Sequence, residues 1–294
     1  MISITIRDSI TDAGRPGGQN EDRSGATPQS AFVLDGATGL ADERLFPDFR
    51  SDAEWLADFA CRRFLEADGA ALRDAVDAIN RQAGEAVAAA AGGRVLPAWA
   101  LPIAGFQMVR LEDGALVSYG LGDCRLFLRS DADGAVFETS ALRGNAAAER
   151  EEARRSIAQA GGLQAYGTLS AHAAVREKLR ESRARCNRPG ARVWTLGTVP
   201  GAADHVVREV CPVGAPATGL LCSDGFAALC DQYGRYDPAG LVMAAAGRGL
   251  ADLLGELRDI ERRLDPDGRA YPRYKTSDDA TAVLFRVDMD ADRA

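Results

Sequence analysis

Apolar and polar positions alternate from the start of the chain, and Ile2, Ile4 and Ile6 fall on one face of a strand. A glycine-rich stretch, 11–19, follows and ends in the charged cluster Asn20-Glu21-Asp22-Arg23. Phe32-Val33-Leu34 then runs straight into Asp35-Gly36-Ala37-Thr38-Gly39. This is the pattern of a buried strand, 31–34, that delivers one carboxylate to a sharp turn. Beyond it the period changes from two to that of a helix. Ser51-Asp52-Ala53-Glu54 forms a capping box, and Trp55, Leu56, Phe59, Ala60 and Phe64 recur behind it at helical spacing. A second helix over about 70–91 carries Leu72, Val76, Ile79 and Val87 on one stripe. These apolar residues read as core.

Short alternating runs return over 103–111 and 115–119, joined by Glu112-Asp113-Gly114. Two more, 125–129 and 135–139, flank Asp131-Ala132-Asp133-Gly134. Strands this close in sequence pair antiparallel. Between the two hairpins, Gly120-Leu121-Gly122-Asp123-Cys124 places another carboxylate at a glycine-marked bend. The character shifts over 141–189, which is charged, rich in Ala and Arg, and helical over 146–160 and 170–183. It reads as an insertion outside the sheets, either a solvated helical pair or a cover over a site. Strands are expected again at 192–196 and 205–210. Gly219-Leu220-Leu221-Cys222 leads into Ser223-Asp224-Gly225, repeating the earlier apolar-run-then-Asp-Gly pattern, and Phe226 opens a helix. Asp237-Pro238 is an N-cap with proline in the first turn, followed by helices over 238–246 and 250–264. A polar loop, 265–277, then delivers Asp278-Asp279-Ala280-Thr281 to a final buried strand. The acidic tail after Val287 is expected to fray. With no internal repeat and no clean linker, 1–294 reads as one domain.

Composition narrows the function classes. The 294 residues are 46% hydrophobic, which is enough for a sizeable core, and carry a net charge of −8 with no long basic run. Nucleic acid is therefore not an expected partner. The six cysteines form no C-x-x-C pair and there are only two histidines, so neither a disulfide framework nor a His-rich zinc site is expected. No apolar run approaches the roughly 18 residues needed to span a bilayer, and the N-terminus lacks the features of a targeting peptide. The expectation is a cytoplasmic protein with reduced cysteines.

The carboxylates Asp22 (with Glu21), Asp35, Asp224 and Asp278 each stand where a strand begins or ends, and Asp123 is a fifth. If they converge they repel one another, and burial raises their pKa values. A hard divalent cation resolves that conflict, and oxygen-only ligands select Mg²⁺ or Mn²⁺ over Zn²⁺ or Cu²⁺. Taken singly, Asp22 also suits a turn cap, and Asp123 also suits a structural role holding Arg125 or its own turn.

The series Asn20-Glu21-Asp22, Asp35-Gly36-x-x-Gly39, Gly122-Asp123-Cys124-Arg125, Ser223-Asp224-Gly225 and Asp278-Asp279-Ala280-Thr281 resembles the metal-dependent protein phosphatases, the type 2C (PPM) Ser/Thr phosphatases. The likeness spans about 2–287 in the family's motif order. It implies an α+β fold, a four-layer α-β-β-α sandwich of two antiparallel sheets flanked by helix pairs. It also implies a centre of two Mg²⁺ or Mn²⁺ ions that hydrolyses phosphoserine and phosphothreonine in a protein substrate. Attack there is by a metal-bridging hydroxide, without a phosphoenzyme. Carried over by motif, Asp35 bridges both ions, Asp224 and Asp278 complete one, and Glu21, Asp22 and the Gly36 carbonyl complete the other. Asp123 with Asp224 resembles a third, weaker site, and 141–189 falls where the family carries its flap. The setting implied is bacterial signalling opposite a cognate Ser/Thr kinase, with no membrane partner.

Departures from the pattern are specific. Family members often carry a phosphate-gripping arginine three residues before the Asn of the first motif, where this chain has Gly17. Either the glycine-rich loop lets Arg15 take that role, or phosphate binding is weaker or relocated. Ala37-Thr38 stands where eukaryotic members carry a general-acid His, and Asp279 replaces a frequent Asn. The alternative is a weak or inactive pseudophosphatase acting as a binding module. An Asp-x-Asp-x-Thr nucleophile fits poorly, because Ala37 follows Asp35 by two residues and the general acid is missing.

Overall fold

The computed structural model describes residues 2–15, 17–142, 146–163, 167–212 and 216–289, with backbone alone for 146–149 and 289. The end of the acidic tail, 290–294, lies outside the described residues.

Ten strands make two antiparallel sheets. One runs in the order β1 (Ile2–Asp12), β10 (Ala280–Met289), β9 (Ala217–Cys222), β6 (Arg125–Ser130), β7 (Val136–Thr139). The other runs β2 (Asp22–Ala26), β3 (Ser30–Gly36), β4 (Ala104–Glu112), β5 (Ala115–Leu121), β8 (Val207–Val210). Alternation along each strand decides what the two faces bury. In β3, Ala31 and Val33 join Leu126, Leu221, Val283 and Phe285 in a cluster between the sheets. Phe32 and Leu34 turn the other way, against Trp55, Leu56 and Phe64 of α1 (Asp52–Glu66) and Val76 and Ile79 of α2 (Leu72–Ala91). On the opposite outer face, Leu220, Ala282 and Leu284 pack against α5 (Asp224–Asp231), α6 (Pro238–Arg248) and α7 (Leu250–Asp259). The layers are helix, sheet, sheet, helix, with two helices on one side and three shorter ones on the other. Segment 141–189 contributes α3 (Ala146–Ala160) and α4 (Ala173–Arg183), which share a small apolar cluster of Leu163, Leu169 and Val175 with Tyr274. No helix among the described residues is long and apolar enough to cross a membrane.

Local chemistry explains where elements depart from the periodic reading. Ser51 caps α1 by accepting from the Glu54 amide at 3.0 Å. Glu54, however, reaches back to the Arg50 amide (2.9 Å), one residue further than a capping box requires. Residues 192–196 form no strand; a single bridge joins Leu196 to Ala104. Asn187 satisfies the Thr195 amide (2.8 Å) and hydroxyl (2.9 Å) there, so a side chain replaces the ladder. β8 begins only after a 3₁₀ turn, Pro200–His205. The helix expected to run to 264 changes to a π turn at Ile260–Leu264. Loop 265–277 is polar in sequence but anchored by a buried ion pair: Arg273 donates to Asp265 at 2.8 Å, and Asp265 also accepts from the Ala270 and Tyr271 amides.

Candidate functional site

Strand parity carries Asp35 to one end of the sandwich. Being two residues beyond Val33, it keeps the inter-sheet side. Its register neighbours are Asp22 on β2 and Gly105 on β4. Asp22 and Asp35 therefore face each other across an antiparallel pair, where like charges destabilise. The Asp123 carboxylate crosses the other flank, with Oδ1 only 3.4 Å from where a Cβ on Gly105 would stand. The second sheet supplies the remaining carboxylates. The Ser223 amide donates to Thr281 O (3.0 Å), and the Thr281 amide returns the bond to Ser223 Oγ (2.9 Å). That pairing sets Asp224, at the start of α5, beside Asp278, just before β10. Two glycines permit the approach: a Cβ on Gly36 would lie 2.6 Å from Glu21 O, and one on Gly225 would lie 2.0 Å from Asp279 O. Asp35, Asp123, Asp224 and Asp278 line one cavity of about 340 Å³, together with Lys275 and Arg183.

The carboxylates crowd one another. Burial, then repulsion from Asp22, Asp224, Asp123 and Asp278, pushes Asp35 well above the ordinary aspartate range. Asp224 is open to solvent on its cavity side. Even so, the protein mass around it, followed by repulsion from Asp278 and Asp123, pushes it up to about 7. Its carboxyl lies close to that of Asp35, and the two groups are electrostatically linked. Asp22 is 1% exposed, yet neither of its carboxylate oxygens has a hydrogen-bond partner. Ser223 is close to it but is engaged with Thr281. Burial and then the charges of Asp279, Asp224 and Asp278 push Asp22 well up.

The remaining acidic groups are held differently. Glu21 accepts hydrogen bonds from the Ser51 hydroxyl, from Thr38 Oγ1 (2.6 Å) and from Gln19 Nε2 (3.2 Å), so its side chain ties the Asp35 turn to the start of α1. Asp279 brackets the glycine-rich loop by accepting from the Gly14 amide (3.1 Å) and the Glu21 amide (2.7 Å). Sequence reading missed this bracket, as well as Lys275, whose ammonium pairs directly with Asp278. Arg15 is exposed and lines neither this cavity nor the smaller one beside it. Cys124 is fully buried, and burial followed by the charges of Asp35 and Asp123 holds its thiol pKa well above the ordinary value.

Among the described residues, no three Asp, Glu, His or Cys side chains close on a common point for an ion. The donor chemistry nonetheless fits a hard cation. Two buried, unpartnered oxygens on Asp22 stand opposite Asp35, in a cluster whose charges conflict. The conflict has a measurable consequence. Because the folded value of Asp224, about 7, exceeds that of an unfolded aspartate, the native state binds this proton more tightly. The associated stability is complete below the ordinary aspartate range and is lost as pH rises through about 7. In EDTA the melting temperature should therefore fall as pH is raised through neutrality, and saturating Mn²⁺ should remove the fall. Stability that climbs with pH in EDTA would contradict the crowding.

No family model and no curated protein matches the chain. Solved structures do. The catalytic domain of the serine/threonine phosphatase PstP, in complex with two manganese ions, superposes with a TM-score of 0.54 at 16% identity, covering 98% of this chain and 100% of that one. PppA, described as a key regulatory component of T6SS in Pseudomonas aeruginosa, gives 0.52 at 17% identity over 97% and 99% of the two chains. Serine/threonine phosphatase Stp1 from Staphylococcus aureus gives 0.51 at 14% identity over 98% and 96%. The chain has the fold of the PPM-type Ser/Thr phosphatases: two antiparallel sheets flanked by helices.

Proposed function

We propose that this protein is a Mg²⁺- or Mn²⁺-dependent phosphatase that hydrolyses phosphoserine and phosphothreonine in proteins. The observation that carries the reading is the buried, unpartnered carboxylate of Asp22 facing Asp35 at the mouth of a cavity shared with Asp123, Asp224 and Asp278. Asp22, Asp35, Asp224 and Asp278 would hold two ions, with Glu21 and the Gly36 carbonyl completing one and Asp123 offering a third, weaker position. Bound there, such ions supply Lewis acidity, activating water and neutralising phosphoryl charge. The chain's own residues set the frame. Glu21 fixes the Asp35 turn through Thr38 and Ser51, Asp279 fixes the loop before Glu21, and Lys275 balances Asp278. The substrate is a phosphoprotein, opposite a Ser/Thr kinase in a cytoplasmic signalling pathway.

The Lys275–Asp278 ion pair favours a second reading, a pseudophosphatase that binds phosphoproteins without turnover, because a resident ammonium competes with a cation for Asp278. One assay separates the two. Purified protein should hydrolyse p-nitrophenyl phosphate and a phosphothreonine peptide with Mn²⁺ and stop in EDTA. Turnover that is undiminished in EDTA would reject metal dependence, and Mn²⁺ uptake without turnover would select the second reading.

A further inference from the structure

Helix α4 carries Arg176, Arg180 and Arg183 at i, i+4 and i+7, which puts them on one face. The first two are spent on the loop that follows the Asp35 turn. Arg176 pairs with Asp42 at 3.3 Å. Arg180 donates to Leu40 O from Nε (3.1 Å) and Nη2 (2.8 Å), pairs with Asp42 at 3.3 Å, and lies 4.1 Å over the Trp99 ring. The other edge of the same segment is stitched to the loop before Asp278: the Leu169 amide donates to Tyr274 O (2.8 Å), and the Thr276 amide donates to Gly167 O (3.0 Å). Segment 141–189 is thus tied down on both sides of the acidic cavity.

Arg183 is the end of that arginine row, and it borders the cavity. It is half-buried, and among the described residues it makes one hydrogen bond, from Nη2 to Thr38 O at 3.2 Å, and no ion pair. A guanidinium carries five donors, so most of this fork is uncommitted. Burial lowers its pKa, the charge of Glu21 nearby opposes that, and the group stays a cation. Lys275, the other cation lining this cavity among the described residues, is already paired with Asp278. A half-buried charge whose one partner is a neutral carbonyl is costly unless an anion completes it.

We infer that Arg183, presented by α4 over the carboxylate cavity, is the residue that grips the substrate's phosphoryl group, in the role for which the sequence offered Arg15. The inference rests on the phosphatase reading above. The planar fork matches two phosphoryl oxygens, while Arg176 and Arg180 hold the helix in place. Because Thr38 both receives Arg183 and donates to Glu21, the grip is referenced to the same turn that carries Asp35.

The test is calorimetric titration of inorganic phosphate into Mn²⁺-loaded protein, beside steady-state kinetics on p-nitrophenyl phosphate. Arg183→Ala should raise the phosphate Kd and the substrate KM by about tenfold or more, with Mn²⁺ affinity unchanged. Arg183→Lys, which keeps the charge but loses the fork, should recover part of the loss. A wild-type phosphate Kd in Arg183→Ala overturns the inference. So does the reverse pattern, weakening by Arg15→Ala with none by Arg183→Ala. A wild type that binds Mn²⁺ and phosphate but does not turn over, with binding lost in Arg183→Ala, supports the grip and sinks the phosphatase reading. A wild type that takes up no Mn²⁺ sinks both.

Discussion

Replacing Asp35 with asparagine should abolish Mn²⁺-dependent hydrolysis, with kcat down about a thousandfold or more, while the metal-free protein becomes harder to melt. Both effects follow from one position. Asp35 faces Asp22 across the β2–β3 pair and lies close enough to Asp224 to be repelled by it. Repulsion from four neighbouring carboxylates adds to burial in raising its pKa. Asparagine keeps the shape and cannot ionise, so position 35 no longer takes part in that repulsion, and the metal-free melting temperature should rise by about 2–4 °C. The same substitution removes the ligand that the reading places between two ions. Turnover by Asp35→Asn at wild-type rates would end that reading. A lower metal-free melting temperature would show instead that Asp35 contributes to the packing of the fold.

Gly225→Ala is expected to be the most damaging change of a single methyl group. The added Cβ would lie 2.0 Å from the Asp279 carbonyl oxygen and 3.3 Å from Asp278 Cβ. The atom it meets is backbone, so α5 must withdraw from the start of β10. The cost should be about 3 kcal/mol, read from the urea midpoint, with Mn²⁺ affinity falling as Asp224 and Asp278 separate. Gly247→Ala in α6 is the contrasting variant, because nothing lies within 4 Å of its added Cβ. There the gain in helix propensity should stabilise by up to about 1 kcal/mol. Equal behaviour of the two variants would mean that the close approach at Gly225 is not as tight as the geometry requires.

The layered fold was legible because each layer has its own period. The stripe of Trp55, Leu56 and Phe64 and the alternation in β3 point to the same cluster from two directions. Asp35, Asp224 and Asp278 stood out because each interrupts or precedes an apolar run. Strand β2 did not, since Asp22–Ala26 contains no apolar alternation; it is a strand because β3 offers it a partner. The Arg273–Asp265 pair was hidden for a similar reason. A loop rich in polar residues looks solvated until its partners are known to be buried. Arg183 was hidden by distance, since nothing in a charged helix marks which arginine meets a carbonyl 145 residues away. Long-range polar contacts carry no periodic signature, and they supply most of what the sequence reading lacked.

Cys124 sits next in sequence to Asp123, against the same negative centre, and its sulfur is kept protonated by burial and by that charge. Peroxide and alkylating reagents attack the thiolate form. Oxidation at Cys124 should therefore be slow, and the hydrolysis proposed above should not depend on the redox state of that sulfur, unlike that of phosphatases built on a reactive cysteine.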